Sequence, residues 1–525
     1  MASRMRVTLA PPLNGTPGED VLNARWDGDR VFGLGGNDRL SSQFNATLLS
    51  GGTGNDTLFT SLTLTGFEGP LTIDQAGGDG DDALLVRSIY IDRSVEVPSG
   101  VENTTRIVVS GGAGLDTIDV AAASRGHDAH EMTVVVDGGG GDDVLAVALN
   151  SRDHIIPHMV HMDAFAEVRG GDGNDSIDVF GFSTNYSNGG SSLTALIQGD
   201  AGDDSIRSRL TIGASGYIGD ADVTIDGGTG ADRIDARLDL DSLDGGTVEH
   251  TVLGGDGADT ISSLVYGANA DVRTSVVLAG SGDDVVIAEI AGTGWRAEET
   301  LNVVDGGSGN DRLTAVVGLG TNIVRGAGGN DIIVGRSPSS NADRLESSHN
   351  FLRGGLGDDT IVGHIGPTWN GWSRLLGDDG NDTIRAENGS GNLIDGGTGN
   401  DGITGSRNRD TIIGGLGDDA IFGGGDADAF VFRVDRNEGH DRIADFQPLR
   451  DVLVFLGLQD RGIAGLSDDL DAITEVVDQG PGGNVVATFD SGSVLVFAGK
   501  GTGSIDSLAD LVSDPLTQLA NSLLV

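Results

Sequence analysis

The sequence predicts an all-β protein: a parallel β-solenoid of the β-roll or β-helix type, with long-period coils and a smaller C-terminal β-rich domain. Three observations lead there. Gly contributes 88 of 525 residues, far above the usual share of about 7%, and shows no collagen period. Asp recurs at fixed intervals behind Gly-rich runs, each Asp followed two residues later by an apolar residue. The interval starts at nine residues, lengthens through the middle of the chain and returns to nine near Asp401–Asp428.

The densest stretch is Asp395 to Phe432, DGGTGNDGITGSRNRDTIIGGLGDDAIFGGGDADAFVF. Asp401, Asp410, Asp419 and Asp428 are nine apart, each followed by Ile403, Ile412, Ile421 or Phe430. The unit is G-G-x-G-x-D-x-U-x, with U a large apolar residue. Glycine tolerates φ > 0 in a tight turn where a Cβ would clash. Such a turn exposes backbone carbonyls, and the Asp adds a carboxylate. The x-U-x triplet is a short strand with one inward side chain, because strand side chains alternate.

Residues 1–13 form an N-terminal strand and cap, with a strand expected from Arg6 to Leu9 before Pro11 and Pro12. Repeats then begin: Asp20, Asp29 and Asp38 are nine apart, followed by Leu22, Val31 and Leu40. From Asp56 the motif Asp recurs at Asp82, Asp116, Asp143, Asp175, Asp204, Asp232, Asp259, Asp284, Asp311, Asp331, Asp359 and Asp382. Apolar runs precede these turns (VTIDGG, HTVLGG, SVVLAG) and follow them (DRIDA, DTISS, DVVIA). Each middle repeat therefore reads as strand, Gly-Asp turn, strand and variable return, one coil of a solenoid. Coils stack at about 4.8 Å, so most should share one regular edge and carry one irregular side.

A turn that gathers backbone carbonyls and a carboxylate offers oxygens to a hard cation such as Ca2+, which takes roughly 6–8 of them. The candidate metal ligands are Asp20, Asp38, Asp56, Asp82, Asp116, Asp143, Asp175, Asp204, Asp232, Asp259, Asp284, Asp311, Asp331, Asp359, Asp382, Asp401, Asp410, Asp419 and Asp428, with Asp29 at a further motif position. A formal net charge of −48 implies a chain that needs counter-ions to fold. It also argues against nucleic acid, since no basic patch is present to hold phosphates. Cysteine is absent, which removes disulfides and thiolate zinc sites. No apolar run of about 18 residues offers a membrane span, and the first twenty residues lack an apolar signal-peptide core.

Composition changes after Asp428. Strands are expected at Phe430–Val434, Val452–Leu456, Val485–Phe489 and Val494–Phe497. Helices are expected at Ser467–Val477 and Ser504–Val512, where a Ser precedes acidic and then apolar residues. The domain reading is 1–13 cap, 14–428 solenoid and 429–525 C-terminal domain.

The nonapeptide resembles the RTX, or hemolysin-type, calcium-binding repeat, known as a Ca2+-binding parallel β-helix. The segment DAFVFRVDRNEGHDRIADFQPLRDVLVFLGL resembles the C-terminal domain of serralysin-type and other type I secreted proteins. Matches are Asp428, Phe430, Val431 and Phe432; Gly439, Asp441, Ile443, Asp445 and Phe446; and Asp451, Leu453 and Phe455. The resemblance implies an uncleaved C-terminal signal read by a type I ABC exporter, and secretion to the outside of a Gram-negative cell. It does not extend to protease chemistry. Zincins need H-E-x-x-H, and three residues after His130-Glu131 the chain has Val134.

Two further readings come from the residues. His127, His130, His154, His158 and His161 fall in two segments about one coil apart, which suggests a transition-metal site on the irregular face; solvated loop histidines are the simpler reading. Trp295, Trp369 and Trp372 suggest sugar stacking, as in a β-helix polysaccharide lyase or epimerase, although PTWNGW also reads as an exposed loop. No nucleophile motif supports catalysis. The expected function is a secreted Ca2+-binding structural or adhesive protein that folds on Ca2+. Self-association into a surface layer or filament, or binding of cell-surface polysaccharide, would follow; a carbohydrate-active β-helix enzyme is the alternative.

Overall fold

The computed structural model describes residues 11–65, 70–93, 104–126, 130–153, 162–185, 191–214, 219–241, 245–267, 272–292, 300–338, 348–366, 371–456, 473–505 and 507–511. They fall into two compact units, Met1–Leu278 with Ala291–Glu299, and Ala279–Ile290 with Thr300–Val525. Each is a stack of coils with the order expected from the sequence: a strand, a Gly-Asp turn, and a second strand in a different sheet.

In the first unit the strands before the turns pair in parallel. His130–Gly140, for example, pairs with Thr104–Ala113 on one side and Met162–Asp172 on the other. The strands after the turns form a second parallel sheet, in which Val144–Asp153 lies between Thr117–Gly126 and Ser176–Asn185. Alternate side chains point inward, and those at Ile107, Val109, Val134, Val136, Ile118, Val120, Leu145 and Val147 are buried. β-Branched residues dominate these positions because they fit a pleated surface packed on one face. Strand length follows coil length. Arg39–Ser42 has four residues in a coil of 18, and Ser176–Asn185 has ten in a coil of 29. The extra residues of the long coils thus extend both strands before the chain turns back.

The second unit repeats the plan and tapers. Thr300–Ser308 has nine residues, Asn392–Thr398 seven, and Gly402–Thr404 and Ala420–Phe422 three each. Parallel stacking runs on past Asp428: Ala429–Arg433 pairs with Val452–Leu456, and His440–Ile443 pairs with both Ala420–Phe422 and Val494–Phe497. Val485–Phe489 then adds antiparallel to Val494–Phe497. Phe430, Phe446 and Phe497 are fully buried, with ring centroids 6.0 and 5.1 Å apart along the series. This aromatic cluster fills the solenoid interior where the coils end.

Two expectations are corrected. Ile473–Asp478 is a strand, antiparallel to Val485–Phe489, where a helix from Ser467 to Val477 was expected. Its β-branched residues Ile473, Val476 and Val477 lie opposite Phe489, Ala487 and Val486, and this cross-strand pairing overrides the helical spacing. Residues 467–472 lie outside the described residues. At the second site only one helical turn, Leu508–Leu511, is described. The strand expected at Arg6–Leu9 also lies outside the described residues.

Candidate metal centre on the Gly-Asp edge

Each coil presents its motif Asp at the turn between its two strands. The Asp backbone N–H donates to Oδ1 of the Asp one coil further on, as from Asp38 to Asp56 (2.7 Å), Asp82 to Asp116 (2.8 Å) and Asp204 to Asp232 (2.8 Å). In the first unit this ladder brings together Asp20, Asp38, Asp56, Asp82, Asp116, Asp143, Asp175, Asp204, Asp232 and Asp259. In the second it joins Asp284, Asp311, Asp331, Asp359, Asp382, Asp401 and Asp419, and continues to Asp441.

These carboxylates are buried, most at 0–2% exposure. One oxygen is satisfied by the ladder; the other is not. Oδ2 has no hydrogen-bond partner among the described residues at Asp38, Asp56, Asp82, Asp116, Asp143, Asp175, Asp204 and Asp232. The same holds at Asp311, Asp331, Asp359, Asp382, Asp401, Asp419 and Asp428. A buried acceptor without a partner costs about 1–3 kcal/mol, and more when charged. A whole column of them calls for one shared partner species. Burial pushes Asp82, Asp143, Asp204, Asp359, Asp401 and Asp428 up to about 7, with neighbouring Asp carboxylates adding to the rise and the ladder N–H opposing it. Asp232, Asp311 and Asp382 rise to about 6, burial again leading.

The glycines show what surrounds Oδ2. Five residues before most motif Asp residues stands a Gly whose missing Cβ leaves a small cradle; before Asp29 and Asp284 the place is held by Ala24 and Ala279. A Cβ on Gly354 would lie 2.1 Å from Asp359 Oδ2 and 2.7 Å from the Gly377 carbonyl oxygen of the next coil. On Gly51 it would lie 2.2 Å from Asp56 Oδ2 and 2.6 Å from Gly77 O. The side chain is absent because carboxylate and carbonyl oxygens converge there. Four residues before the Asp the backbone takes positive φ, usually at Gly. Leu34, Asp200, Ala327 and Asp378 occupy that place in four coils, with φ of 82°, 73°, 79° and 74°.

The residue before the motif Asp builds an outer, exposed ladder of opposite direction. Asn330 N–H donates to Asn310 Oδ1 (2.9 Å), Asp358 N–H to Asn330 Oδ1 (2.8 Å) and Asn381 N–H to Asp358 Oδ1 (2.7 Å). The preference for Asn or Asp at this place follows from that bond.

The second edge carries few carboxylates. Asp410 and Asp428 lie there, and Asp410 N–H donates to Asp428 Oδ1 (3.0 Å), as Asp428 N–H does to Asp451 Oδ1 (3.1 Å). Local protein donors serve several of these groups. Ser406 N–H and Asn392 Nδ2 donate to Asp410 (2.5 and 2.7 Å), and Gln447 N–H to Asp451 (2.6 Å). Asp29 is held by Arg25, whose Nε lies 2.9 Å from Oδ2; this ion pair and burial act in opposite directions, and the Arg25 hydrogen bond keeps the carboxyl below its usual range. On the main edge, Asp20 likewise accepts from Thr16 N and Oγ1 (2.5 and 2.9 Å). Asp441 and Asp451 extend the two edges beyond the motif count. Asp441 was legible, since Gly439 precedes it with φ of 102° and stacks on Gly417.

Among the described residues no three acidic or histidine side chains converge on one point. Each gap between coils therefore offers a carboxylate oxygen together with backbone carbonyls, an all-oxygen set suited to a hard cation. The histidines at 127, 154, 158 and 161 lie outside the described residues, and His130 is placed only as the first residue of its strand. Trp295 and Trp369 also lie outside; Trp372 opens a strand of the second unit.

A family model described as the RTX calcium-binding nonapeptide repeat matches residues 13–40, 46–61, 301–318, 346–366 and 395–430. Comparison with curated proteins gives no match. The matched stretches include the short coils at both ends, and the long coils between share their ladder and cradle. Ca2+ is the ion such repeats bind, and the orphaned Oδ2 column fits it. The chain carries RTX calcium-binding nonapeptide repeats along these stretches.

Proposed function

We propose that the chain is a secreted structural or adhesive protein that folds on Ca2+ outside the cell. The observation that carries this reading is the column of buried Oδ2 atoms without hydrogen-bond partners among the described residues. Without the ion, about one buried charge per coil opposes folding, and the chain stays open. With it, binding supplies folding free energy. The ligands on the main edge are Asp38, Asp56, Asp82, Asp116, Asp143, Asp175, Asp204 and Asp232, with Asp259 and Asp284 in the same ladder, and Asp311, Asp331, Asp359, Asp382, Asp401 and Asp419. Asp428 serves the second edge. Asp20, Asp29 and Asp410 are secondary, since local donors already hold them. Extracellular Ca2+ matches the weak affinity of extracellular modules, roughly 10⁻⁴–10⁻³ M.

The functional division is a cap at 1–13, a solenoid at 14–428 and an export domain at 429–525 whose C-terminal signal engages a type I ABC exporter of a Gram-negative cell. Repeated flat faces favour self-association into a surface layer or filament. Circular dichroism and electron microscopy with Ca2+ and with excess chelator test the reading. The expected result is β signal and ordered assemblies only with Ca2+. A cooperatively melting β protein in chelator would sink it.

A further inference from the structure

In the second unit, the strands that follow the turns form a sheet whose outer face has a charge balance that Ca2+ binding does not explain. Seven successive strands lie there: Val285–Ala291, Arg312–Val317, Ile332–Ser337, Thr360–Ile365, Thr383–Glu387, Gly402–Thr404 and Ala420–Phe422. None of them contains Asp. Their outward charged side chains are Arg312, Arg336 and Arg385 against Glu289 and Glu387, with His364 beside them. The chain as a whole carries 80 acidic residues to 32 basic. The corresponding strands of the first unit set Asp119, Asp178, Asp235 and Asp239 on their outward face.

Between those charges the face is apolar. Val285, Ile287, Val316, Val334, Val362 and Phe422 point outward. Ile287 and Phe422, at the two ends of the series, are 50% and 46% exposed. Contiguous apolar surface of this kind marks a contact site. The five inner strands are hydrogen-bonded on both sides, so no strand can be added to them. A flat pleated face is instead met by another flat face. Arg336, His364 and Glu387 are cross-strand neighbours in one row. The Arg336 guanidinium makes no hydrogen bond or ion pair among the described residues, whereas Glu387 receives Arg385 and His364.

We propose that two copies of this chain meet on this face, about a two-fold axis that runs along the strand Thr360–Ile365. That strand is the middle one of the seven. The axis therefore lays Ile287 of each copy against Phe422 of the other, and Arg336 of each against Glu387 of the other. A two-fold contact uses the same patch twice and must be self-complementary; here the two exposed apolar ends cover each other and the opposite charges exchange. Two copies at a formal −48 each repel over most of their surface, so contact is favoured where acid is scarce. Strand spacing and rise give a flat area of roughly 34 by 13 Å per copy. That is on the order of 900 Å² for the pair, above the size of most incidental packing contacts and at the low end of specific ones. The inference rests on the self-association reading and names its surface and partner.

The test is sedimentation velocity of the full chain at saturating Ca2+ over a concentration series. The wild-type chain should associate reversibly as concentration rises. Ile287→Lys and Phe422→Lys should each weaken association roughly tenfold or more. Arg336→Glu alone sets carboxylate against carboxylate, and Glu387→Arg alone sets guanidinium against guanidinium, so each variant should associate poorly with itself. Mixed in equal amounts, these two variants regain both opposite-charge pairs, and association should return. All four side chains face outward; if one Lys variant misfolds, the other and the mixing experiment still decide. A monomer at every concentration, wild-type association by both Lys variants, or no recovery on mixing overturns the proposal. A chain that stays monomeric yet co-sediments with phosphatidylcholine vesicles, and loses this with Ile287→Lys, overturns it in favour of a lipid surface. Circular dichroism with Ca2+ and in chelator reads folding separately, so failure of this face and failure of the folding reading are told apart.

Discussion

At the scale of one residue, the motif Asp is held in a state that suits neither water nor an apolar core. Its Oδ1 is fixed by the ladder, while its Oδ2 is buried opposite a carbonyl. In the metal-free protein, Asp82, Asp143 and Asp359 have folded-state pKa values of about 7, chiefly from burial, against an ordinary value of about 3.9 in the unfolded chain. Between these values the folded state binds protons that the unfolded state has released. Stability therefore falls as pH rises through about 4 to 7, the reverse of a salt-bridged carboxylate. Denaturant titrations in chelator across that range should show any residual structure strongest at the acidic end. Asp359→Asn should flatten the slope, raise metal-free stability at pH 8 and lower the number of Ca2+ bound. The amide keeps the ladder acceptor and donates toward Gly377, where the carboxylate has only repulsion. A variant with wild-type pH slope and Ca2+ stoichiometry would show that Asp359 is not a ligand.

At the scale of the element, the second edge shows how coil length changes the use of one position. Asn302, Asn322, Asn350 and Ser373 lie in register on successive strands, and Ser373 N–H donates to Asn392 Oδ1 (2.8 Å), which is in register with Asp410. In the 18-residue coils the position is a turn and holds Asp. In longer coils the strand runs past it, and the position becomes interior. The buried Asn ladder keeps the polar line while removing the charge. Asn302 Nδ2 reaches Asn322 Oδ1 (3.2 Å), and Asn322 Nδ2 reaches Asn350 Oδ1 (2.9 Å). Asn350→Leu should cost about 1–3 kcal/mol, because the Asn322 amide and the Gly335 and His364 carbonyls lose a partner. Urea denaturation at fixed Ca2+ reads this; an unchanged midpoint would mean the ladder is incidental. This line was not legible in the sequence. The residues at 302, 322 and 350 have unequal spacing, and only strand pairing reveals their alignment. The main edge was legible because Gly, Asp and the apolar residue all lie within nine residues. The strand at 473–478 was missed because its partner, not its own pattern, decides its conformation. Arg25 was missed as a partner of Asp29 because an ion pair four residues apart looks like ordinary surface charge.

At the scale of the whole molecule, the C-terminal residues both close a stack and, in the proposed function, address the chain for export. A truncation ending near Gly425 removes Asp428, Asp441, Asp451 and the buried aromatic cluster. It should remain inside a competent secreting cell, and purified it should need more Ca2+ to gain β structure. Normal appearance in the medium would refute the export assignment, and an unchanged Ca2+ midpoint would refute the closing role. The inner ladder also has a polarity with a kinetic consequence. The amide of Asp401 needs the carboxylate of Asp419, and that of Asp419 needs Asp441. A coil is thus finished by its successor, while the opposed outer ladder is exposed and can use water instead. For a chain that leaves the cell tail first, the template arrives ahead of the coils it completes. Each emerging turn then locks onto a surface already set with ions, which draws the thread outward like a zip closed from its far end.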